Sequence, residues 1–183
     1  MEIELVESKQ ILYSLAAGVV AGVIASIIIF IKIGGVINEF MFELIYNQLL
    51  ATGLSGDKAL EIANQTIEGI KPIYWLIPIS PIINMLFISA ILGILLDFLV
   101  NRFHLKPYTA SILTGLTLIL LLQLTPIIIL GKLYGGWIIE LLDKYIGLPV
   151  ILTPSIIYTT LLTIFNTIKG PWSRWGESKP EIY

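Results

Sequence analysis

Residues 75–100 read WLIPISPIINMLFISAILGILLDFLV, with a single charge, Asp97, near the far end. So long an apolar run fits only two settings, a very large core or lipid. A chain of 183 residues has no such core, because small soluble domains leave much of their surface exposed. The chain is 56% hydrophobic and 13% charged, about half the charged share of a soluble domain. A bilayer acting as solvent removes the conflict, and helices satisfy their own backbone groups inside it. The expected class is therefore all-α, a multi-pass membrane protein.

Three further runs resemble the first. Spans are expected at residues 11–31, 73–100, 108–131 and 150–168, each near the ~20 residues that cross a bilayer. The first is expected to be a span rather than a signal peptide: acidic residues precede it, the run is too long, and no A-x-A-like site follows. Together they predict a four-helix bundle forming one domain over residues 1–183.

Two segments lie outside the spans. Residues 36–70 predict a helical hairpin. Val36, Ile37, Phe40, Met41, Leu44 and Ile45 recur at helical spacing, then Thr52-Gly53 breaks the pattern. Ser55 is the expected N-cap of the second arm, where Ala59, Leu60, Ala63 and Ile67 share one side. Residues 136–146 predict a short interfacial helix, with Trp137, Ile138, Leu141, Leu142 and Tyr145 on one side. The tail carries Trp172 and Trp175 among Lys169, Arg174 and Lys179. It reads as a membrane-interface belt or as a peptide that docks on a neighbour.

Inside the first span, small residues stand in two rows at i, i+4 spacing: Gly18, Gly22 and Ser26, then Ala17, Ala21 and Ala25. Such rows let helix backbones approach closely where lipid supplies no hydrophobic drive. The face serves packing within the chain or contact with a partner subunit.

Polar groups inside lipid are costly, so each was placed by depth. Asn84 lies nine residues from Trp75, Gln123 eight from Gly131 and Thr159 nine from Val150. Each count puts the residue about 12–13 Å below the boundary at ~1.5 Å per residue. Thr163 continues the row from Thr159. A polar layer is expected there. Asn84 and Gln123 either bond to each other or to a freed carbonyl, or they line a path for a neutral solute or a lipid headgroup.

Orientation follows from the basic residues. Four spans put both termini and the 101–107 turn on one side, where Arg102, Lys106 and Lys169 stand in short segments. The positive-inside rule then makes that side cytoplasmic in a cell membrane. Asp97 at the same boundary reads as a cap paired with Arg102 or Lys106; a proton relay to His104 is the alternative. Asn64-Gln65-Thr66 is a glycosylation sequon in the outer hairpin.

Several functions are disfavoured. The absence of cysteine removes disulfides, thiolate catalysis and cysteine-ligated metals. With one histidine, His104, no histidine-pair haem and no metal site are expected, and no cofactor is implied. G-x-S-x-G, H-E-x-x-H, P-loop and G-x-G-x-x-G motifs are missing. A net charge of −2 without a basic block gives no reason to expect nucleic acid. The expected partners are the lipid bilayer and other membrane subunits or a second copy. The expected function is a non-catalytic integral membrane subunit within a larger membrane complex. The alternative is a small transporter, channel or lipid-handling protein acting as a homo-oligomer through the Asn84, Gln123 and Thr159 layer.

Overall fold

The computed structural model describes residues 9–174. Expectations placed on the acidic N-terminus, on Trp175 and on Lys179 lie outside these residues. The chain is all-helical, with no strand among the described residues. Four helices are long and apolar enough to cross a membrane. The eight α-helices are α1 (Lys9–Ile33), α2 (Ile37–Ala51), α3 (Gly56–Ile70), α4 (Ser80–Asn101), α5 (Pro107–Thr117), α6 (Thr125–Tyr134), α7 (Trp137–Tyr145) and α8 (Leu148–Thr167).

The second long helix is shorter than its apolar run. Residues 71–76 form a 3₁₀ turn, Lys71–Leu76, and the α-helix begins only at Ser80. Proline accounts for the division. Pro81 falls in the first turn of α4, where a missing N–H leaves no helical bond unmade. Pro78 lies in the link between the two pieces. The span read at 73–100 is therefore corrected to Ser80–Asn101.

The third long helix has three sections. Between α5 and α6, residues Leu118–Leu124 wind as a π-helix. The backbone N–H and the hydroxyl of Thr125 both reach back five residues to the Leu120 carbonyl, the hydroxyl at 2.7 Å. Pro126, next in sequence, has no N–H of its own to offer.

Helix α1 is the hub. It packs antiparallel along α4 and also against α8, while α5 packs on α8 and, over a shorter stretch, on α4. The α1–α4 contact is very close. A Cβ on Gly18 would stand 2.9 Å from the Met85 carbonyl oxygen, and one on Gly22 2.9 Å from the Ile82 Cα. From the other side, Gly93 faces Ile11 and Ser14. The Ser26 hydroxyl closes the row by donating to the Pro78 carbonyl. In the second row, Ala17 and Ala21 are fully buried and Ala25 nearly so. Both small-residue rows are thus consumed inside the chain.

The outer segments fold on one another. Arms α2 and α3 pack together, and α7 rests against α2 and α6. Ala59, Ala63 and Ile67 of α3 are buried as their spacing implies, but Leu60 is 48% exposed. Ser55 occupies the N-cap position of α3 with an extended backbone, yet its side chain makes no capping bond. No residue of α2 is buried.

At the opposite end, the 3₁₀ turn Pro171–Arg174 folds back onto α1. Lys9 donates to the Ser173 carbonyl, and the Tyr13 hydroxyl donates to the Trp172 carbonyl at 3.2 Å. The Trp172 ring packs 5.1 Å from Phe165. This tryptophan docks on its own chain.

Candidate functional site

The expected intramembrane layer is not assembled. Asn84, in the second turn of α4, is exposed. Gln123 lies in the π section and donates its amide to the Ile151 carbonyl of α8 at 3.1 Å, while its own Oε1 has no partner. Thr159, Thr163 and Thr167 donate back to Ser155, Thr159 and Thr163, the carbonyls four residues earlier in the same helix, each at 2.7 Å. Trp75, the reference point for the depth of Asn84, lies on the far side of the helix break. Counted from Ser80, Asn84 is only about 6 Å along its helix.

The buried polar groups are different ones. Ser14, Ser89, Ser111, Thr114 and Ser155 are fully buried, and so is Tyr158. Ser14 of α1 is the joint. Its hydroxyl lies 2.5 Å from the Ser89 carbonyl of α4 and 2.6 Å from the Tyr158 hydroxyl of α8. With its one proton given to Ser89, Ser14 must accept from Tyr158. The sequence signal for this joint was a tyrosine in mid-span, whose O–H needs a partner when buried.

Charged groups gather at the loop end instead. A cleft of about 700 Å³ is walled by the end of α1, by α2, α3 and α7, and by the first residue after α3. Lys32, Lys71 and Lys144 reach it from three separate segments, with Glu39 and Glu43 from α2. The sequon residue Asn64 of α3, exposed, and Asn38 of α2 also line the cleft. Lys71 pairs with Glu68 at 2.5 Å. Among the described residues no ion pair engages Lys32 or Glu39.

Glu43 is the anchor of this cleft. One carboxylate oxygen accepts from Lys144 Nζ at 2.6 Å and from the Tyr145 hydroxyl at 3.0 Å, which ties α2 to α7. The Lys144 ammonium also sits 4.8 Å over the Tyr145 ring. The Lys144 hydrogen bond holds the Glu43 carboxyl below its usual range, despite some burial. The same bond pushes Lys144 up, and burial raises the Tyr145 phenol, with Glu43 assisting. All three shifts point away from neutral pH. Glu43 and Lys144 are therefore charged and Tyr145 neutral at pH 7, whereas proton transfer wants a pKa near the working pH.

One signal for this cleft was legible in sequence. Lys32 and Lys71 bracket the outer hairpin, so the chain must leave and re-enter the four-helix region beside them. At the other end, Asn101 donates to Asp97 at 2.6 Å. Arg102, His104 and Lys106 are exposed, and His104 takes a left-handed backbone with φ of 53° in the tight turn. Lys9, Pro107 and Lys169 line a second cleft there, so the start of α1, the segment after α8 and the end of the 101–107 turn meet at one end of the helix packing. Among the described residues no cluster of acidic and histidine side chains could hold a metal ion.

Comparison with family models, with curated proteins and with solved structures finds no match to this chain.

Proposed function

We propose that this chain is a non-catalytic integral membrane subunit that assembles with another membrane subunit or with a second copy of itself. Its four long helices insert in the cell membrane as a bundle. The ends of the chain face the cytoplasm, and the hairpin and α7 lie at the opposite surface. The observation that carries the reading is α2. It bears Phe40, Met41, Phe42, Leu44, Ile45 and Tyr46, and each of them is only half-buried in the chain. A helix this apolar outside the long spans has surface to cover, and a partner at the membrane boundary would cover it. The small-residue face of α1 is already spent on α4 and α8, so α2 takes over the role of partner face.

Photo-crosslinking in the native membrane tests this. A benzophenone side chain placed at Ile45 should give a discrete crosslinked band that survives extraction in mild detergent. A stable monomer without crosslinks from α2 would sink the proposal.

A further inference from the structure

The charged cleft and a separate apolar cavity are both lined by the α1 and α7 segments. On α1, Ile28 lines the cavity and Lys32, one turn later on the same face, lines the cleft. Leu142 of α7 and Ile146, just after it, line the cavity, while Lys144 and Tyr145 line the cleft. The cavity has about 270 Å³, and Ile127 of α6 and Pro154 of α8 complete its apolar lining. Ile28 and Lys32 are about 6 Å apart along the helix axis. The Lys32 ammonium thus belongs to a residue one helical turn beyond an apolar slot.

From this juxtaposition we infer that the chain binds a membrane phospholipid, with its phosphate in the cleft and part of one hydrocarbon chain in the cavity. Lys32 is the principal phosphate ligand. It has no ion pair among the described residues, whereas Lys71 and Lys144 are partly neutralised by Glu68 and Glu43. The Asn38 and Asn64 amides offer further donors to phosphate oxygens. Glu39, likewise without an ion pair among the described residues, stands where a headgroup hydroxyl or ammonium would follow the phosphate. The cavity selects a lipid over a soluble phosphate ester, because its lining offers only apolar contact to a chain. The inference rests on the reading that the helices insert in a bilayer.

The test uses full-length protein, delipidated in mild detergent and examined by native mass spectrometry. Three probes are added separately: dioleoylphosphatidylglycerol, dioleoylglycerol and glycerol 3-phosphate. The phosphatidylglycerol adduct should persist, with the diacylglycerol bound at least about tenfold more weakly, equivalent to roughly 1.4 kcal/mol. Glycerol 3-phosphate should not displace it. Lys32→Gln should lower occupancy about fivefold or more without changing the melting temperature, since Lys32 is exposed. Ile127→Trp, which fills the cavity, should lower it as well. If that variant melts early, dihexanoylphosphatidylglycerol replaces it as the probe of the slot and should bind weakly. Equal binding of diacylglycerol, full displacement by glycerol 3-phosphate, or unchanged occupancy in Lys32→Gln would each overturn the inference. Alkaline carbonate extraction reads insertion separately. A chain that resists extraction but holds no phospholipid overturns the lipid site alone, whereas a chain that washes off overturns the membrane reading itself.

Discussion

The hydroxyls of Ser14 and Tyr158 meet 2.6 Å apart in the fully buried centre of the helix packing, and Ser14 passes its own proton to the Ser89 carbonyl. The two side chains are therefore unequal. Tyr158→Phe removes one donor and leaves Ser14 bonded, at a cost of roughly 0.6 kcal/mol. Ser14→Ala strands the Tyr158 hydroxyl, at a cost of about 1–3 kcal/mol. Thermal unfolding in detergent should rank Ser14→Ala as the more damaging change. The reverse order would place the proton differently.

Gly18 and Gly69 form a matched pair for a second measurement. Alanine at Gly18 drives its methyl into Ser89 and the α4 backbone, and overpacking of this kind costs about 1–3 kcal/mol. Nothing lies within 4 Å of the same methyl at Gly69, on exposed α3. There alanine should stabilise by roughly 0.5–1 kcal/mol through lower backbone entropy in the unfolded chain. Melting temperatures moving the same way in both variants would contradict the α1–α4 contact.

The contact between α2 and α7 should respond to pH in a defined window. The folded-state carboxyl of Glu43 lies below its ordinary 4.5, so its contribution is complete above that value and is lost as pH falls further. Lys144 is raised above its ordinary 10.5, so its contribution is complete below that value and is lost as pH climbs past it. Spin labels at Gln48→Cys and Glu140→Cys should report one narrow distance from about pH 5 to about pH 9, broadening below about pH 4. Glu43→Gln should broaden the distribution already at neutral pH. A distance that drifts across the neutral range would remove the trio from this contact.

Topology can be read without background, because the sequence has no cysteine. With the ends cytoplasmic, a membrane-impermeant maleimide should label Lys58→Cys in intact cells and reach Arg102→Cys only after permeabilisation. The opposite pattern would invert the orientation. Equal labelling of both sites in intact cells would argue against four crossings.

How much of this was legible in the residues depends on which forces were local. The helix tendency of each apolar run and the small-residue rows of α1 are written in spacing alone, and the structure uses Gly18, Gly22 and Ser26 as close-approach points. The α3 face failed only at Leu60, which the hairpin leaves uncovered. Depth was less readable. Pro78 and Pro81 break the second run, and every residue count taken through them shifts, Asn84 included. The π section hid for a related reason: its wider turn, ending at Thr125-Pro126, leaves no periodic mark in the residues. The charged cleft joins Lys32, Lys71 and Lys144 across more than a hundred positions, and such convergence belongs to topology.

The central place of α1 also sets a schedule for biosynthesis. Its Gly and Ala faces are complete once residue 33 has been made, but their partners end at residues 101 and 167. At the usual pace of translation the first helix waits on the order of ten seconds for α4 and α8. Throughout that interval its narrow, small-residue groove is the face most open to a chaperone or to a mismatched helix. The hydroxyl joint at Ser14 closes last, when the final helix delivers Tyr158.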